Sequence, residues 1–258
     1  MKKILVVLII IIMIVLTICL IPKDNNILIV VIPHHNLVKK ERLDFWDKII
    51  TKTKIKTKEI TKVIIIGPDH FNRDQRNIIY DDSDWSTYNT DLLNFFVRPN
   101  YFNNKYILNS KHVKNDHAIA NLISEIHDYF PNTEFVPFLI GSDVKFNDLK
   151  PLQDYINSHC HKNCLLVASV DFSHYVTLDV ANIQDERTIK LLSNMEITQN
   201  SFNQNDTIEA DCPHCLYIMQ EFARSKNYHW YLGNHTNSAF GNTETIETTS
   251  HLFGAYIK

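Results

Sequence analysis

Three runs of this chain are almost wholly aliphatic, and each leads directly into a histidine: NILIVVIPHH from Asn26, VIIIGPDHF from Val63 and LLVASVDFSHY from Leu165. A strand with one wet face alternates apolar and polar residues. These runs do not alternate, so both of their faces must be covered, as in a parallel sheet with helices on either side. In open α/β sheets, ligands bind in the crevice outside the carboxyl ends of the strands. Those ends carry His34, His70 and His174 here. If the three strands are neighbours, the histidines converge. With 13 histidines in 258 residues, one at a single strand end means little; the repeated pattern is what points to a shared metal or catalytic site.

The remaining pattern alternates strand and helix, which predicts α/β architecture: a single three-layer domain with a largely parallel central sheet. Strands are expected over Ile27–Ile32, Val63–Ile66, the EFVPFLIG run from Glu134, Cys164–Val170, Tyr228–Leu232 and His251–Ile257. Helices are expected over Lys39–Thr51, from an Asp116 cap to Tyr129, then Val144–Ser158, Asp179–Asn194 and Pro213–Ser225. The polar and aromatic stretch Asn72–Asn109 reads as irregular with short strands. Only 5 glycines occur and none forms a phosphate-binding loop, which excludes Rossmann or P-loop nucleotide binding. With a net charge of −3, nothing points to nucleic acid, and it is not an expected partner.

Ahead of this domain, Met1, Lys2 and Lys3 precede an uncharged apolar run, Ile4–Ile21, closed by Pro22 and Lys23. At 1.5 Å per residue it spans roughly 27 Å, enough for a hydrocarbon core. No small-x-small cleavage site follows in LTICLIPKDNN. The expectation is therefore an uncleaved N-terminal transmembrane helix over 1–23 and an extracytoplasmic domain over 24–258. The location would be the cell membrane, single-pass. Besides the membrane, a small-molecule substrate or a protein is the expected partner.

Each strand exit offers chemistry. In IPHHN, Pro33 fixes the exit and His34 is the candidate ligand, with His35 left as an orienting or surface residue. In GPDHF, His70 is the candidate ligand, while Asp69 either orients an imidazole or serves the turn. In VDFSHY, Asp171 and His174 form an acid/base arrangement. A serine hydrolase is disfavoured, because no G-x-S-x-G elbow exists. His117 opens a helix, where the positive end of the dipole favours neutral imidazole. Cys212 and Cys215 in DCPHC flank Pro213 and His214 at another helix start. That placement suits thiol–disulfide exchange. Equally, Cys212 could supply a soft thiolate beside His34 and His70, a set suited to copper, iron or zinc. Cys160 and Cys164 are spaced for a disulfide or, with His159 or His161, a zinc clip.

Taken together, Pro33–His34, Gly67–Pro68–Asp69–His70, Asp116–His117, Ser169–Val170–Asp171–Phe172–Ser173–His174, Cys212 and the closing TTSHLFGAY resemble the Memo family, the protein B component of the AmmeMemoRadiSam system. The resemblance implies a fold similar to class III extradiol dioxygenases. It also implies a crevice metal held by His34, His70 and Cys212, with His117, Asp171 and His174 around it, and copper or iron with redox roles. Three departures stand out: His35–Asn36–Leu37 replace the usual alanine, glycine and aromatic residue, Ala120 stands at a usual glutamate, and Pro213–His214–Cys215 replace a glycine-rich turn. The functional expectation is a membrane-anchored protein binding a redox-active metal, as a dioxygenase-like oxidoreductase. Its rivals are a thiol–disulfide oxidoreductase using Cys212 and Cys215, and a metal-binding module without turnover.

Overall fold

The computed structural model describes residues 26–71, 76–81, 106–202, 208–239 and 247–258. Among the described residues eight strands form one sheet: β1 (Ile27–Ile32), β2 (Lys62–Pro68), β3 (Ile78–Tyr80), β4 (Tyr106–Leu108), β5 (Glu134–Ile140), β6 (Cys164–Ser169), β7 (His229–Asn237) and β8 (Ser250–Ile257). Their spatial order is β4-β3-β5-β2-β6-β1-β8-β7. The central four, β5, β2, β6 and β1, are mutually parallel. Beyond them β8 runs antiparallel to β1, β7 to β8, and β3 to β5. The sheet is therefore mixed rather than largely parallel. The aliphatic runs revealed its parallel centre; at the edges β3 and β4 are only three residues long and β7 is largely polar.

The six α-helices among the described residues are α1 (Lys39–Thr53), α2 (Ser110–Asn115), α3 (His117–Tyr129), α4 (Lys150–His159), α5 (Leu178–Asn194) and α6 (Pro213–Ser225). Two apolar clusters explain why the strands do not alternate. Ile29 and Val31 of β1, Ile64 and Ile66 of β2, and Leu166 and Ala168 of β6 pack on α4 and α6. Their sequence neighbours, Leu28, Val30, Val63, Ile65, Leu165 and Val167, pack on α1 and α3 on the other face. Successive side chains point to opposite faces, so covering both faces demands an apolar residue at every position. This is the expected three-layer α/β domain.

The expected N-terminal transmembrane helix is not supported. Among the described residues no helix is long and apolar enough to cross a membrane, and residues 1–23 lie outside those described. The single-pass membrane location inferred from that run falls with it.

Two local features seat the strand ends. Gly67 lets α3 sit against β2: a Cβ there would come 2.8 Å from the Ala118 Cβ, and neither backbone could yield. Arg42 of α1 is fully buried and forms a two-pronged ion pair with Glu125 of α3, at 2.8 Å from Nε and 2.7 Å from Nη2. Its Nη1 also donates to the carbonyls of Pro33 at 3.3 Å and His35 at 2.6 Å. Breaking one side of a buried pair typically costs about 3–5 kcal/mol, because the other charge is left desolvated. Arg42→Ala should lower stability in urea titrations by about that amount. Arg42→Met with Glu125→Leu should recover part of it. An unchanged midpoint in the single variant would contradict this role.

His251, at the start of β8, is fully buried, and neither ring nitrogen has a hydrogen-bond partner among the described residues. Burial first, then the charges of His35, His174 and Arg42, push its pKa down to about 3; Asp185 works the other way. The unfolded chain takes up a proton near 6.5 and the native state does not. Stability from this group is thus complete above pH 6.5 and declines as pH falls toward 3. Between pH 7.5 and 4.5 the loss should be about 2–3 kcal/mol. His251→Asn should remove that part of the pH dependence in denaturation curves; an unaltered difference would refute the assignment.

Candidate metal centre

The three strands with histidines at their exits, β2, β6 and β1, are consecutive in the sheet. Their carboxyl ends open on one crevice, into which α3 and the segment before α6 also project. His34 and His70 leave β1 and β2, and His117 opens α3. One donor atom of each lies within 4.8 Å of the others. The His70 and His117 rings stack with centroids 3.7 Å apart, and His34 meets both edge-on at 5.0 and 5.1 Å. A second group, His34, Asp171 and Asp211, shares His34 with the first and meets the same distance limit.

The tautomer of His34 follows from its neighbours. Ser169, the last residue of β6, donates its hydroxyl to the Ala118 carbonyl at 2.5 Å. That hydroxyl has one hydrogen. The His34 Nδ1, 3.1 Å from the same oxygen, must therefore be the donor to it. Nε2 is left with a lone pair. Burial, followed by the charges of His70, His117 and His174, holds the His34 pKa well below the usual value, so the ring is neutral. The bare Nε2 faces Asp171 Oδ2 at 3.3 Å and Asp211 Oδ2 at 3.4 Å. A lone pair against carboxylate oxygens in a dry pocket is repulsive until a cation or a proton sits between them.

His70 is oriented the same way. Its Nδ1 is 2.8 Å from Asp116 Oδ1. Burial would raise the Asp116 pKa, but His70 and the backbone N–H groups of Ala118 and His70 outweigh it and hold it low. Asp116 is thus a carboxylate that accepts, and His70 Nε2 points to Asp211 Oδ2 at 3.8 Å. Burial works to lower the His70 pKa, but the Asp116 and Asp211 carboxylates prevail and raise it to about 9. The crevice therefore favours positive charge between these groups. Two ligands bound at ~2.0–2.2 Å to a tetrahedral ion stand about 3.3–3.6 Å apart, close to the separations seen. The residues present fit a metal ion.

The sequence-predicted residues fare differently. His34, His70 and His117 come together, with Asp171 against His34. His174 is half-buried and lies within electrostatic reach of His34 and Asp211, outside the clustered donors. Cys212 does not join them: it is disulfide-bonded to Cys215 and buried in the apolar cluster under α4 and α6. Of the expected His34, His70 and Cys212 set, the structure brings together the two histidines and places Cys212 apart from them. Asp69 binds His112 Nε2 at 2.8 Å rather than a crevice imidazole. Cys160 and Cys164 form a disulfide, not a zinc clip.

Sequence reading missed Asp211, Ser169 as the partner of His34, and Asp116 as the partner of His70. For Asp116 the signal was available, because a helix-capping carboxylate directly before His117 and near a strand-end histidine can serve both. For Asp211 the only signal was its place before Cys212.

Burial first, and then the neighbouring Asp211 carboxylate, holds the Asp171 pKa well above the usual value. The backbone N–H of His35 works against this.

The comparisons with known proteins agree with this architecture. Among solved structures, the crystal structure of the uncharacterized protein JW3007 from Escherichia coli K12 is similar, with a TM-score of 0.52 and 12% identity over 90% of this chain and 99% of that one. At that identity the likeness concerns the fold alone. No curated protein matches the chain. The family model described as Memo-like protein matches residues 13–245, nearly the whole sequence. The chain thus belongs to the Memo-like protein family.

Proposed function

We propose that the domain holds one redox-active transition metal, iron or copper, anchored by His34 and His70, and acts on a small molecule bound beside it. The observation that carries this reading is the bare Nε2 of His34. It is fixed by the Ser169–Ala118 hydrogen-bond chain and aimed at buried carboxylate oxygens. A strand-end imidazole with a structural role alone would present a proton to those oxygens.

The metal, when bound, supplies Lewis acidity and electron transfer toward oxygen or substrate. The chain's own residues supply the rest. Asp116 holds the His70 ring at one angle, and Ser169 does the same for His34. Asp171, buried beside His34, is placed to exchange a proton with a molecule bound in the crevice. His117, half exposed at the mouth and stacked on His70, is placed to pass protons between the crevice and solvent. His174 faces the same crevice from the β6 side and has the same chemistry.

The test is elemental analysis of the purified full-length chain. Near-stoichiometric iron or copper is expected. His34→Ala with His70→Ala should abolish it while the far-ultraviolet circular dichroism is unchanged. Metal retained by the double variant, or a metal-free wild type after exposure to both ions, would reject the reading. Turnover of oxygen with a reductant then separates an enzyme from a metal-binding module.

A second reading rests on the Cys212–Cys215 disulfide at the start of α6. Thiols at a helix N-terminus have lowered pKa values and exchange readily. If this pair is a catalyst of exchange, the chain should oxidise a model dithiol peptide with equimolar loss of its own disulfide. Cys215→Ser should abolish that reaction. The burial of both sulfurs opposes it, at 2% and 0% exposure. No dithiol oxidation by the wild type would dispose of it.

A further inference from the structure

We infer that Asp211, not Cys212, completes the ligand set with His34 and His70, so that the centre is a two-histidine, one-carboxylate site. This rests on the metal-centre reading above and goes against the thiolate that the family resemblance implies.

Asp211 is built as a ligand. Its backbone N–H donates to the Asp171 carbonyl at 3.0 Å, and its Oδ1 accepts the Asp171 N–H at 3.2 Å. An isolated bridge between Phe172 and Ala210 extends this pairing by one residue. The carboxylate is therefore held from both ends against the exit of β6. One oxygen is consumed by that anchoring. The other, Oδ2, is buried and accepts no hydrogen bond among the described residues. It faces His34 Nε2 at 3.4 Å and His70 Nε2 at 3.8 Å.

Cys212 is unsuited on each count. A sulfur in a disulfide carries no thiolate charge, and the thiolate is the form that ligates. Its Sγ also accepts the Cys215 N–H at 3.2 Å, as a helix cap does. Adjacent residues of extended chain project to opposite sides. Asp211 takes the crevice side, and Cys212 lies in the apolar cluster.

The exchange of carboxylate for thiolate changes which metals suit the site. Soft thiolates favour copper(I), whereas imidazole with carboxylate favours iron(II), zinc and other divalent ions. Two histidines and one carboxylate also leave positions open for oxygen or substrate at iron(II).

Cobalt(II) titration of the full-length chain tests this, read by visible and near-ultraviolet absorption, with and without prior reduction by a thiol-free phosphine, tris(2-carboxyethyl)phosphine, removed before the titration. The expected result is the same cobalt affinity in both conditions and no thiolate-to-cobalt charge-transfer band in either. Asp211→Asn should weaken cobalt binding by at least the ~10–100-fold that losing an outer partner of a metal ligand costs. Cys212→Ser with Cys215→Ser should leave it unchanged. A charge-transfer band in the reduced wild type, or loss of cobalt in the double serine variant with retention in Asp211→Asn, overturns the inference while the metal centre stands. Cobalt binding that also survives His34→Ala with His70→Ala overturns both. The wild-type spectrum decides whether Cys212 is a ligand even if Asp211→Asn fails to fold.

Discussion

Three consecutive carbonyls, those of Pro33, His34 and His35, leave β1 at the crevice, and each is bound by a side chain. Arg42 takes the first and third, and Asn121 donates to the second at 3.0 Å. Backbone acceptors removed from water must find donors, and here the donors come from α1 and α3, the two helices on one face of the sheet. The cost of burying the Arg42 guanidinium is offset by Glu125, so both helices are drawn to the same turn. The position of His34 is thus a property of the whole layer. This explains how an imidazole at the end of a strand, where chains usually loosen, stays fully buried in one orientation.

The same economy recurs at β2. Asp116 caps α3, accepting the Ala118 N–H at 2.9 Å, and with the same carboxylate orients His70. It also accepts the His70 backbone N–H at 2.9 Å. One residue therefore terminates a helix, joins it to a strand exit and selects a tautomer. Gly67 makes the approach possible by leaving room for Ala118. Helix capping and site geometry are a single interaction here, so the site and the α3–β2 packing stand or fall together.

How far the sequence could be read follows from which forces leave local traces. The unbroken Ile27–Ile32 run predicted β1 with its observed bounds, because two-sided burial requires apolar residues in sequence. Pro213 at the first position of α6 fixed that helix equally well. The helix expected from Val144 begins instead at Lys150, because a 3₁₀ turn over Phe146–Asp148 precedes it and Pro151 marks its first turn. β7 was expected to end at Leu232 before Gly233, yet the strand continues to Asn237 through an irregularity between Leu232 and Asn234. A glycine in a strand marks a bulge as readily as an end. Among the site residues, the histidines were visible because strand ends are visible. Arg42 and Asp211 were not, since the partners that give them meaning lie 83 residues away at Glu125 and 40 away at Asp171.

The cysteine pair shows how a disulfide at a helix start can hold a residue away from a neighbouring crevice. In this chain the turn is Pro213–His214–Cys215, and Cys212 caps the helix through its own sulfur while bonded to Cys215. Proline supplies the helical φ at the first position and needs no partner for a missing N–H, and the disulfide closes the first turn. The helix start is thereby rigid without glycine. A consequence is that the residue before it, Asp211, is presented to the crevice on a fixed stem, tied to Asp171 on its other side. On the ligand set inferred above, a hard carboxylate one position earlier takes the place of the soft thiolate, with the two imidazoles left where the strands put them.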